Sequence, residues 1–370
     1  MIIKQVEIYK SPIRLKEPFV ISLGLLSAAE NVVVRILTDE GITGYGECSP
    51  FMTIHGESMD TCFIVGQYLA KVLMHGQIPE PGAATRAMDS VIFGNTSIKS
   101  AFDMALYDIA AQRAGLPLYE WIGGKNNKIL KTDYTVSLGD PGKMAEDAKQ
   151  IKADGFHMIK VKLGDTKEND VMRMIKIREA VGAEIPICID ANQGWSAKQA
   201  VDILKSLAPF HILYCEEPVS RKDFMSLPEI RRQSPIPIMA DESCCDEHDA
   251  ARLISLNACD CFNIKLGKSG GIFNALKIIS LADQAGMKMQ VGGFLESRLG
   301  FSAAAHLALT NDLIVYCDFD TPLMFEEDPV IGGIEYKANG EVNVPGIPGL
   351  GASMDEQYLL RLEKVILKNS

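Results

Sequence analysis

From about residue 130 to residue 320 the chain repeats one pattern: a short apolar run, then a segment with helical spacing. The runs are Lys131 to Ser137, Met158 to Lys162, Ile185 to Asp190, Ile212 to Glu217, Ile236 to Glu242, Cys261 to Lys265, Met287 to Gly293 and Leu313 to Asp320. Val171 to Val181, Ala197 to Leu207 and Ile272 to Ala285 read as helices between them. Strands that alternate with helices must lie parallel, and eight of them are enough to close a barrel. The span is lean for that architecture, so short loops are expected at its N-terminal face.

The segments on either side read differently. Val32 to Leu37 and Ile42 to Glu47 form strands around an Asp39-Glu40-Gly41 turn. Ile98, Ala101, Phe102, Leu106, Ile109 and Ala110 make one helical stripe that ends at Gly115-Leu116-Pro117. This is an α+β unit over residues 1–125, ahead of a barrel over 126–322. Residues 323–370 begin Gly- and Pro-rich, and Asp355 to Leu367 reads as a helix. That tail is expected to pack back on the first unit.

The barrel runs end in charge. Lys162, Asp190, Glu216, Asp241 and Lys265 are 28, 26, 25 and 24 positions apart, the length of one strand-helix repeat. All five therefore fall on the C-terminal rim, where barrel enzymes keep their chemistry. A single Asp there would be read as a helix cap and a single Lys as a solvated strand end. Five in register exceed what capping explains. Asp190, Glu216 and Asp241 offer hard oxygens suited to magnesium, and without a cation three such carboxylates repel one another. Lys160 and Lys162 lie two apart on one strand and face the interior together. Their mutual repulsion is expected to lower one amine toward neutrality. Lys265 arises three strands further round, on the opposite wall, so one amine would approach each face of a bound α-carbon. This arrangement suits removal and return of a proton beside a carboxylate, with magnesium and Lys160 stabilising the enediolate.

Ile159-Lys160-Val161-Lys162, Asp190-Ala191-Asn192, Glu216-Glu217-Pro218, Ala240-Asp241-Glu242-Ser243 and Asn263-Ile264-Lys265 resemble the muconate lactonizing enzyme subgroup of the enolase superfamily. The resemblance implies a (β/α)7β TIM-like barrel with an α+β capping domain. Asp318-Phe319-Asp320 resembles the dipeptide epimerases, which implies two carboxylates on a substrate α-ammonium. It also implies peptide contacts from Thr135, Gly293 and Phe294, and gives no role to Glu296 or Arg298. Capping loops at Pro18 to Ser27 and Ser49 to Ser58 would set substrate preference. Family members that act on Ala-Glu carry an arginine in the first loop. Here Phe19 to Leu26 is uncharged, which favours small or apolar dipeptides of the Ala-Ala type. Other members of the subgroup, namely Ala-Glu epimerase, N-succinylamino acid racemase, o-succinylbenzoate synthase and muconate cycloisomerase, are the alternative. A non-catalytic binding protein would need no paired bases.

Composition narrows the rest. A net charge of −11 without a basic run disfavours nucleic acid. No apolar run is long enough to span a bilayer, and the start lacks a signal-like apolar stretch, so a cytoplasmic location is expected. Nine cysteines without a C-x-x-C pair suggest a reducing compartment. Gly267-Lys268-Ser269 is similar to the end of a phosphate-binding loop, but Phe262 stands where the first glycine belongs. A homo-oligomer is left open.

Overall fold

The computed structural model describes residues 1–78 and 80–369. β1 (Ile3–Ile21), β2 (Gly24–Thr38) and β3 (Thr43–Cys48) form an antiparallel meander, and α1 (Met59–Leu73), α2 (Pro81–Val91) and α3 (Thr96–Ala114) follow. Val6, Ile8, Val32, Val34 and Ile36 point from the sheet into a core shared with Leu69, Phe102 and Ile109. The period-two alternation of β2 leaves its other face to Val33, which packs toward the barrel.

All eight expected barrel strands are present. They are β4 (Tyr134–Val136), β5 (Ile159–Lys162), β6 (Ile187–Asp190), β7 (Ile212–Glu216), β8 (Ile238–Ala240), β9 (Cys261–Lys265), β10 (Lys288–Gly292) and β11 (Ile314–Cys317). They pair in parallel and in chain order. A parallel bridge from Thr132 to Cys317 joins the last strand to the first, with the Asp133 amide donating to the Cys317 carbonyl at 3.2 Å. Seven helices of about two turns or more lie between the strands, at Pro141–Ala153, Lys167–Val181, Ala197–Leu207, Leu227–Gln233, Glu247–Ser255, Ile272–Gln284 and Arg298–Ala308, besides a single turn at Leu266–Ser269. We label the seven α4 to α10. Their starts follow local chemistry: Asp140, Thr166, Ser196, Asp246 and Ser297 each accept from a first-turn amide.

The barrel is floored by Met158, Cys188, Tyr214, Met239 and Cys261. The Tyr214 hydroxyl donates to Gln290 at 2.6 Å, so this buried phenol is paired. The lysines and carboxylates of the rim lie at the opposite, C-terminal ends of these strands.

The seam between the first unit and the barrel is made of carboxylates on backbone amides. Glu47 of β3 accepts from Ser297 N, Ser297 Oγ and Gly300 N at the start of α10, at 3.0, 2.8 and 2.9 Å. Asp103 of α3 accepts from Ile272 N at 2.5 Å, at the start of α9. Asp108 instead ties the first unit to the tail, accepting from Tyr45 N at 3.0 Å and Leu350 N at 2.8 Å.

The tail departs from expectation. Helix occupies only Glu356–Leu360, and Lys364–Lys368 is a strand, β12. It pairs antiparallel with β1, Val6 opposite Leu367 and Ile8 opposite Val365. Val365 and Leu367 face the capping core, so the period of two prevails over the helical reading.

Candidate functional site

Each rim residue is delivered by its strand. Lys160 and Lys162 both come from β5 and both are buried, as the two-residue period requires. Asp190 ends β6 and Glu216 ends β7, paired directly across the ladder. Asp241 follows β8, and Lys265 ends β9. Lys265 stands four strands from Lys162 rather than three, which in a ring of eight is the diametrically opposite wall.

Lysine ammoniums lie between the carboxylates. Lys162 Nζ is 2.6 Å from Asp190 Oδ2, and Lys265 Nζ is 2.7 Å from Asp241 Oδ2 and 3.9 Å from Glu216 Oε1. Lys160 Nζ sits lower, 2.8 Å from Glu216 Oε2, 2.8 Å from Asp318 Oδ2 and 3.5 Å from Asp190 Oδ2. Burial alone would depress Lys160, but Asp318, Glu216 and Asp190 hold it well above the ordinary lysine range. The expected drop in one amine of the Lys160–Lys162 pair is therefore not found at Lys160: three surrounding acids outweigh one like charge. Lys265 is likewise raised, Asp241 and Glu216 overcoming burial. Burial pushes Glu216 up to about 7, with Asp190 adding to it, whereas the lysines pull Asp190 and Asp241 below the usual carboxylate range against burial.

Each wall amine lies against an aromatic face. Lys162 Nζ is 6.0 Å from the centre of the Phe19 ring, in the first capping loop. Lys265 Nζ is 4.8 Å from Phe294, after β10. Phe294 is held in turn by the edge of His55, 4.6 Å away, in the second capping loop. Gly293 has no room for a side chain: a Cβ would stand 2.6 Å from both Glu296 Oε2 and the Phe301 ring. Glu296 accepts from Phe294 N at 2.5 Å and so shapes this loop. Arg298 donates to Gly332 O, Ile334 O and Val330 O, anchoring the tail rather than the site.

Asp318 and Asp320 lie just beyond β11 and converge, Asp318 on Lys160 and Asp320 on the Thr135 amide at 2.7 Å. Among the described residues they form, with Asp133, a group in which one carboxylate oxygen from each lies within 4.8 Å of the others. Asp133 is fully buried and neither of its oxygens has a hydrogen-bond partner. Sequence reading passed over it, although it shares a strand face with Thr135 two positions on. Phe19, His55 and Lys268 were missed as well.

The donors fit a hard divalent cation. Asp190, Glu216 and Asp241 are completely buried carboxylates at the ends of adjacent strands, although among the described residues they do not draw together as tightly as Asp133, Asp318 and Asp320 do. Asp241 Oδ2 is buried and faces the Lys265 ammonium, 2.7 Å away. Glu217, next in sequence to Glu216, is turned away by a left-handed backbone (φ 34°) and accepts instead from Asp241 N and Ser243 N.

Residues 3–123 match the model of the mandelate racemase / muconate lactonizing enzyme N-terminal domain, and 143–358 match the enolase C-terminal domain-like model. The chain is 61% identical to a D-Ala-D/L-Ala epimerase of Cytophaga hutchinsonii over 99% of this chain and all of that protein. The crystal structure of a dipeptide epimerase from that organism, complexed with Mg and the dipeptide D-Ala-L-Val, superposes with TM-score 0.99 over the whole of both chains. A hydrophobic dipeptide epimerase of Enterococcus faecalis is 38% identical over 95% of this chain and 98% of its own length. An L-Ala-D/L-Glu epimerase of Bacillus subtilis is equally similar, over 95% and 96%. With both halves matched and relatives alike along nearly their full length, the chain belongs to the mandelate racemase / muconate lactonizing enzyme family of the enolase superfamily.

Proposed function

We propose that the protein is a magnesium-dependent dipeptide epimerase, an isomerase that inverts the α-carbon next to the carboxylate of a small or apolar dipeptide. The observation that carries this reading is the opposition of Lys162 and Lys265 across the barrel, with the acids between them. Inversion needs one amine to take the α-proton from one face and an ammonium to return a proton from the other. Asp190, Glu216 and Asp241 would hold magnesium, which supplies positive charge to the substrate carboxylate as its α-proton becomes acidic. Lys160, kept protonated by its acids, adds a fixed cation below the reacting carbon. Asp318 and Asp320 accept from the α-ammonium, and Thr135 fixes Asp320. Phe19 and Phe294 exclude water from the two amines.

Substrate class rests on the capping loops. A cavity of about 330 Å3 lies between them, lined by Leu23, Leu25, Leu26, Phe51, Met52 and Leu295. Among the described residues its lining includes Glu30 but no cation, so an anionic side chain finds no partner there. The relatives named for D-Ala-D/L-Ala and hydrophobic dipeptides agree with this. Incubation of a dipeptide library with magnesium in deuterated water tests the reading. One α-deuterium should appear in free dipeptides with small or apolar residues. Exchange confined to N-succinylated amino acids, or no exchange at all, would overturn it.

A further inference from the structure

The short turn of helix Leu266–Ser269 places a fourth lysine under the rim. Lys268 is almost fully buried, and its ammonium donates to the Asp241 carbonyl, to Asp241 Oδ1 at 2.7 Å and to the Asn263 carbonyl at 2.7 Å. An ammonium has three donors, and all three are used. Lys268 therefore has neither a lone pair nor a spare proton for substrate, unlike Lys265 three positions earlier, which faces the mouth beside Phe294. What it does control is Asp241. With Oδ1 engaged by Lys268, Oδ2 is the oxygen turned toward Lys265, 2.7 Å from its ammonium. Through the Asn263 backbone it also steadies the residue whose side-chain amide donates to Glu216 Oε1 at 2.7 Å.

We infer that Lys268 is a positioning residue for the divalent cation, locking Asp241 into one-oxygen coordination through Oδ2 and, by way of Asn263, aligning Glu216. This rests on the metal trio of the proposed function. The Gly267-Lys268-Ser269 stretch thus has a role that owes nothing to phosphate. Partners that orient a ligand group are worth about 10-fold to 100-fold in metal affinity.

The test is calorimetric titration of magnesium, and of manganese followed by electron paramagnetic resonance, into the full-length protein without dipeptide. The parent is compared with Lys268→Met, Lys268→Gln and Asp190→Asn, and thermal unfolding of each is recorded without metal. Lys268→Met should bind metal about 10-fold to 100-fold more weakly, and Lys268→Gln, which keeps a donor for Oδ1, should fall between it and the parent. The magnesium concentration that half-saturates exchange should rise by the same factor, with most of the exchange rate recovered at saturation. Parental metal affinity in both Lys268 variants, or failure of both to fold, would overturn the inference and leave Lys268 a structural ion pair. Parental affinity in Asp190→Asn would instead overturn the metal trio itself, so the two failures are distinguishable.

Discussion

The barrel mouth and the seam beneath the cap both bury carboxylates completely, and they surround them differently. At the mouth, lysines face the acids: Asp190 and Asp241 are pulled below the usual range despite burial, while burial still raises Glu216 between them to about 7. At the seam backbone amides face them. There burial wins: Glu47 is raised, Asp103 reaches about 7 and Asp108 about 6. A ring of N–H dipoles satisfies the oxygens but stabilises the charge less than a full cation does. The difference separates work from scaffolding. An acid held by an ammonium can exchange that partner for a metal or a substrate amine, whereas an acid held by the start of a helix can only anchor it.

That contrast can be broken by mutation. The largest effect belongs to the opposed amines. Lys162→Ala and Lys265→Ala should each lower epimerisation about a thousandfold while leaving α-hydrogen exchange of one stereoisomer, read by proton NMR in deuterated water. Loss of exchange from both isomers in either variant would refute the two-base scheme. Next comes Asp318→Ala, expected to cut kcat/KM for free dipeptides about a hundredfold through the lost ammonium contact, with magnesium affinity by calorimetry unchanged.

At the seam the order of readouts reverses. Glu47→Ala leaves the Asn31, Ser297 and Gly300 donors buried without an acceptor and should cost about 3 kcal/mol in urea unfolding, with turnover per folded molecule within a few-fold of the parent. If turnover instead collapsed as it does for Lys265→Ala, the division between the two regions would fail. The smallest effect concerns pH. Asp103 binds its proton more tightly folded than unfolded, so its contribution is full below about pH 4 and is lost as pH rises toward 7. Asp103→Asn should remove a slope of up to about 1.4 kcal/mol per pH unit in that window, measured by denaturant titration at several pH values.

Much of this was legible because strands and chemistry shared a period. Lys162, Asp190, Glu216, Asp241 and Lys265 each closed an apolar run, and the repeat length alone placed them on one rim. What stayed hidden depended on backbone geometry. Glu216 and Glu217 are indistinguishable in a string of letters until a positive φ turns one away. Lys268 acts across one helical turn from Lys265, within a stretch that invited a nucleotide reading. The tail misled for a different reason: Leu359, Leu362 and Ile366 keep a helical spacing while Val365 and Leu367 alternate as a strand, and the open edge of β1 decides between them.

That edge has a consequence for how the molecule comes into being. The ribosome finishes the barrel, with its opposed amines and acids, before residues 364–368 exist. Until they emerge, β1 presents unpaired backbone groups along Gln5 to Tyr9. The edge of the capping sheet is thus paired only after every barrel strand has been made. Chains cut short by a few residues would carry every reacting group yet expose a sticky border, and they would be lost to aggregation rather than to faulty chemistry.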